Sequence, residues 1–193
     1  SLGMVNKIGR VMLVPLCADG ACVSRHELAH VKWSPRALPK VAFEHLILMA
    51  VEDARINLAL RRRGLDCSDS SLLREYAMGL AMRDITEQDS GVFIIRCIAS
   101  LGTDMTQSLS EMARLEAPGA HALVVRLVEM VETRLDGSRR RTRDQTIATF
   151  HTAVRVAAAV AEELQLACMP ISANGKRRLL LEGGLCLACK AKG

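Results

Sequence analysis

From Val41 to Leu60 the chain reads V-A-F-E-H-L-I-L-M-A-V-E-D-A-R-I-N-L-A-L, with apolar side chains on nearly every face of a helix. A helix of that pattern cannot lie on a surface, so the rest of the chain has to wrap it. It is read as running from about Lys40 to Arg63, with Gly64 as its stop.

What wraps it follows from the composition. Hydrophobic residues fill 50% of the 193 positions but aromatic ones only 3%, so the core must be built from aliphatic side chains, the material of packed helices. Further helical patterns run from Ser70 to Arg83, Gly91 to Leu101, Thr103 to Glu116, Pro118 to Leu135 and Arg143 to Leu166. The expected fold class is mainly α. Ahead of the buried helix, G-R-V-M-L-V-P-L (Gly9 to Leu16) reads as a short β element and Asp19-Gly20 as a hairpin turn or bend. Ser24 then reads as the N-cap of a helix that ends at Lys32 or Trp33, before Pro35 and Pro39.

The charge balance excludes some functions. Lys and Arg number 26 against 21 Asp and Glu, a net charge of +5, which describes a mixed surface rather than a basic one. The excess is local, in Arg61-Arg62-Arg63, in Arg139-Arg140-Arg141 with Arg143, and in Lys176-Arg177-Arg178. With 1 Trp, 1 Tyr and 3 Phe there is little to stack on bases, and nucleic-acid binding is not expected. Seven cysteines, scattered and odd in number, do not make a disulfide framework. Cys186 and Cys189 form a lone C-x-x-C, read as two free thiols in a tail. No signal peptide opens the sequence and no apolar run is long enough for a membrane span, so a soluble cytoplasmic protein is expected.

Chemistry enters at His26-Glu27-Leu28-Ala29-His30. On a helix, residues four apart share a face, so His26 and His30 can both present ring nitrogens to one Zn2+, with Glu27 beside a metal-bound water. The pattern arises by chance in about one chain of this composition per hundred, so a third ligand has to decide. As an alternative, Glu27 falls three residues after Ser24 and completes a capping box.

Glu52 offers the third ligand. It lies 22 residues after His30 on the apolar helix, where an unpaired carboxylate is costly and a metal would satisfy it. An ion pair with Arg55 one turn on would satisfy it equally well. Asp53 points about 100° away from Glu52 and reads as an acceptor standing behind a ligand to orient a histidine, or as a surface acid pairing with Asn57. His45 is the other candidate ligand, about two turns before Glu52. His121 and His151 sit singly in helical patterns and read as structural.

H-E-L-A-H followed by A-V-E-D-A-R-I-N resembles the zincin metallopeptidases of the gluzincin kind. It is most similar to the metallopeptidase domains found beside von Willebrand A domains in cobaltochelatase T-type and nitric-oxide-reductase activation proteins. The likeness covers roughly residues 10 to 60; no D-x-S-x-S motif of a von Willebrand domain is present. With a length that fits one domain, the chain is expected to form a zincin-like single domain over 1–193, with a metal-site core over 10–63, a helical bundle over 70–168 and a tail over 176–193. The resemblance implies His26, His30 and Glu52 as zinc ligands, Glu27 as general base acting on a peptide or protein substrate, and Tyr76 or Arg55 as groups steadying an oxyanion. It also implies the alternative of a zincin-like binding or adaptor module with a structural or vestigial metal site, partnering an AAA+ ATPase.

Overall fold

The chain is mainly helical. The computed structural model describes residues 4–6, 11–13, 20–65, 71–136 and 148–167, with side chains over 20–65, 74–135 and 148–167. The elements in order are β1 (Met4–Asn6), β2 (Val11–Leu13), α1 (Gly20–Trp33), α2 (His45–Arg62), α3 (Ser71–Thr86), α4 (Ser90–Ala99), α5 (Met105–Glu116), α6 (Pro118–Asp136) and α7 (Phe150–Ala167). The strands pair antiparallel, Met4 opposite Leu13 and Asn6 opposite Val11. The tail over 176–193, its C-x-x-C, and the arginine cluster at 139–143 lie outside the described residues.

α2 is the axis of the bundle. Ile47, Leu48, Val51, Ala54, Ile56, Leu58 and Ala59 are buried around its circumference, and α1, α4, α6 and α7 all pack on it. Its apolar neighbours are Phe93, Ile94 and Ile98 of α4, Val124, Leu127 and Val131 of α6, and Val156, Val160 and Leu164 of α7. Each large aliphatic side chain so buried contributes about 1.5–3 kcal/mol, and this aromatic-poor core holds the bundle by number rather than size. α1 joins through a smaller apolar contact, Ala29 and Trp33 against Ile56 and Leu60.

The helix ends follow local chemistry. Gly64 takes φ 65°, and the Gly64 N–H to Arg61 C=O and Leu65 N–H to Leu60 C=O bonds close α2 in a Schellman motif. The Asp89 carboxylate accepts from the Val92 N–H and starts α4. Thr149 does the same for α7 through the Thr152 N–H, so that helix is capped at 149, where the sequence pattern suggests Arg143; 143–147 lie outside the described residues. Two other helix starts lie about five residues from expectation. α2 begins at His45 rather than Lys40, with Glu44 extended at ψ 130°. α1 begins at Gly20, so Ala21 to Val23 are helical and Ser24 lies in the second turn. Ser24 is therefore no N-cap, and the capping-box reading of Glu27 falls.

The turn after α4 presses against α2. Gly102 has φ 87°, and a Cβ there would lie 2.7 Å from the Leu58 backbone nitrogen and 2.9 Å from the Asn57 carbonyl carbon. Gly102→Ala therefore combines a left-handed conformation with a backbone clash, and should lower stability by about 2–4 kcal/mol in urea unfolding. An unchanged midpoint would show that this contact carries no load.

Candidate metal centre

His26 and His30 leave α1 on one face, and the Ala29 and Trp33 contact turns that face toward α2. Their Nε2 atoms come within 3.0 Å of each other, with the rings edge to face. Asp53 Oδ1 lies 3.1 Å from His30 Nε2 and 3.7 Å from His26 Nε2. His26, His30 and Asp53 thus form a group that could hold a metal ion. The histidine side chains are 22% and 15% exposed and that of Asp53 is 40% exposed, so the group is open on the aspartate side.

The far side of each ring fixes its tautomer. Asn57 donates its amide nitrogen to the Ala99 carbonyl at 3.0 Å, which leaves its oxygen facing His26 Nδ1, also at 3.0 Å. An amide oxygen only accepts, so Nδ1 of His26 carries the hydrogen. His30 Nδ1 meets the Ser34 hydroxyl at 3.1 Å, whose hydrogen goes to the Glu52 carboxylate; Nδ1 of His30 is again the donor. Both neutral imidazoles then aim Nε2 lone pairs at one point, and a carboxylate oxygen aims there too. Three acceptors without a donor repel one another, so the point requires a cation, either a proton or a metal ion.

Proton affinity moves accordingly. Burial pulls the His26 pKa down, but the hydrogen bond and charge of Asp53, with lesser help from Glu27 and Asn57, outweigh it and leave the pKa raised. For Asp53, burial raises the carboxyl, and the two histidines overcome that to bring it from 3.8 to about 2.

The two neighbouring carboxylates exchange the roles expected of them. Asp53, not Glu52, meets both histidines. Glu52 is buried and accepts from Arg55 Nε at 2.7 Å and Nη2 at 2.5 Å, the ion pair that the sequence offered as its alternative. Arg55 is 2% exposed and also donates to the Ala148 carbonyl at 2.9 Å and the Trp33 carbonyl at 3.0 Å, so its guanidinium is buried among these acceptors rather than open to an oxyanion. Tyr76 stands on α3, 43% exposed, on a helix packed chiefly against α4 and α5, and is not brought to the group. His45 is exposed at the start of α2, about 12 Å along the helix from Asp53. Glu27 is half-buried beside His26 and makes no hydrogen bond or ion pair among the described residues.

The sequence reading gave Ser34 no part in the site and named Asn57 only as a pairing partner for Asp53. Each lies one turn beyond a member of the group, Ser34 after His30 and Asn57 after Asp53, and that i+4 spacing was the available signal. Cys22 is disulfide-bonded, whereas Cys97 is a buried free thiol that burial pushes up to about 12.

These shifts give a pH test on metal-free protein. The stability that His26 contributes is fully present below its unfolded value of 6.5 and lost as pH rises through the higher folded one. The contribution of Asp53 is present above 3.8 and lost as pH falls through about 2. Asp53→Asn removes the group that does most to raise His26. Wild type should lose stability in urea from neutral toward mildly alkaline pH, while the variant should run flatter there. Parallel profiles would detach His26 from Asp53.

No protein-family model, curated protein or solved structure matches the chain.

Proposed function

We propose that the protein is a zinc-dependent peptidase of zincin-like arrangement, with His26, His30 and Asp53 as the metal ligands and Glu27 as the general base. The observation that carries this reading is the convergence of three acceptor atoms, two of them with tautomers fixed from behind. From the three separations, 3.0, 3.1 and 3.7 Å, a point equidistant from the donors lies about 1.9 Å from each, close to zinc bond lengths of about 2.0–2.2 Å. Two imidazoles and a carboxylate are a donor set zinc takes in hydrolytic sites, with a position left for water.

Zinc bound there would supply a water acidic enough to ionise near neutral pH and a charge to polarise a peptide carbonyl. The residues do the rest. Glu27, with no competing partner among the described residues, accepts the proton of the attacking water and delivers it to the departing amine. Asn57 and Ser34 keep the imidazoles from turning. Met49 and Leu46, 51% and 46% exposed, lie one and two turns before Asp53 on α2 and offer an apolar surface to substrate side chains.

The same two-histidine, one-carboxylate set also holds iron(II) in oxygenases; the glutamate between the histidines favours hydrolysis, because it places a base beside the ligands. The test is metal content per chain together with cleavage of a denatured protein mixture. Glu27→Gln should keep its zinc and lose about 10²–10⁴-fold in turnover, whereas His26→Ala and Asp53→Ala should lose metal and activity together. Stoichiometric zinc without cleavage of any peptide would favour a binding or adaptor module, with an AAA+ ATPase as the partner to try. Failure to take up zinc after reduction and metal loading would sink both.

A further inference from the structure

We propose that Ser34 and the buried Glu52 are positioning residues for His30, a relay that holds its Nε2 lone pair on the metal centre; this rests on the metal reading above. Glu52 was the carboxylate the sequence offered as a ligand, and the geometry gives it work one residue further back.

The relay is directional because each member has a single way to bond. The Glu52 side chain is 4% exposed and accepts only. Arg55 holds both of its oxygens, through Nε to one and Nη2 to the other, so the carboxylate cannot swing. Ser34 has one hydrogen and gives it to Glu52 Oε1, leaving lone pairs for its other contacts. One of these receives His30 Nδ1–H at 3.1 Å. The Ser34 N–H bonds back to the His30 carbonyl at 3.0 Å, which keeps the hydroxyl one turn below the ring. Arg55 also binds the Trp33 carbonyl, fixing the backbone next to Ser34.

An ion pair buried this deeply is not explained by stability, since apolar side chains of similar volume usually do as well. Aiming an imidazole does explain it: rotation of His30, or transfer of its hydrogen to Nε2, would put a donor where a lone pair is required. His26 is served in the same way by Asn57, itself held by the Ala99 carbonyl. The two ligands are thus braced from different parts of the bundle.

The experiment uses the full chain with Ser34→Ala and Ser34→Thr, which remove or keep the hydroxyl without stranding a buried charge. Nitrogen-15 imidazole spectra, taken with and without zinc at neutral pH, read the His30 tautomer. Competition with a chromogenic chelator reads the affinity for zinc, and thermal unfolding checks the fold. Wild type and Ser34→Thr should show His30 protonated at Nδ1. Ser34→Ala should show mixed tautomers and about 10–100-fold weaker zinc binding with little change in melting. A merely structural serine would shift melting without moving the tautomer. Nδ1 protonation and zinc affinity unchanged in Ser34→Ala would overturn the relay. A tautomer that changes in Ser34→Ala, in a protein that takes up no zinc even as wild type, would uphold the relay and overturn the metal reading.

Discussion

Arg55 is the contact on which the site depends. A guanidinium that leaves water for an aliphatic core loses several kcal/mol of solvation unless its donors are met. Here they are met by groups from three parts of the chain: Glu52 on its own helix, the Trp33 carbonyl at the end of α1, and the Ala148 carbonyl ahead of α7. Because the apolar contact between α1 and α2 is small, this polar hub supplies much of what fixes the histidine-bearing helix against the bundle axis. Moving α1 would take the Trp33 carbonyl away from a buried Arg55 donor, so the register of His26 and His30 over Asp53 is held by the cost of leaving that donor unmet.

α2 serves two environments at once, and the helical repeat makes that possible. Its circumference is core for most of the length, yet successive residues turn by about 100°, so Glu52 points into the bundle while Asp53 reaches the edge where α1 crosses. One carboxylate is neutralised by an arginine; the other, 40% exposed, is left to face two imidazoles. The turn at Gly102 adds a constraint from the opposite side, lying against the backbone of Asn57 and Leu58, next to the amide that braces His26.

Much of this could be read from residue order. The apolar run predicts a buried helix and α2 is one; the i+4 histidines predict a shared helical face and they have it, because both inferences depend only on local periodicity. The helix starts were less legible. Ser24 has the chemistry of a cap, but α1 begins four residues earlier, and a serine inside a helix reads the same in sequence as one in front of it. Ser34 stands just beyond the helix end that Pro35 marks, and nothing local shows that a buried glutamate arrives at its hydroxyl.

Sequence by itself determined that the chain is mainly helical, that one helix lies at its centre, and that two histidines and a glutamate share a turn. Only the tertiary structure decided which carboxylate joins the histidines. Glu52 and Asp53 are adjacent, and choosing between them needs the rotation of α2 relative to α1 to better than about 100°. That rotation is set by partners distant in sequence, Ile56 and Leu60 against Ala29 and Trp33, and Arg55 against the Trp33 and Ala148 carbonyls. No pattern within a single helix encodes it, because it belongs to the contact between helices.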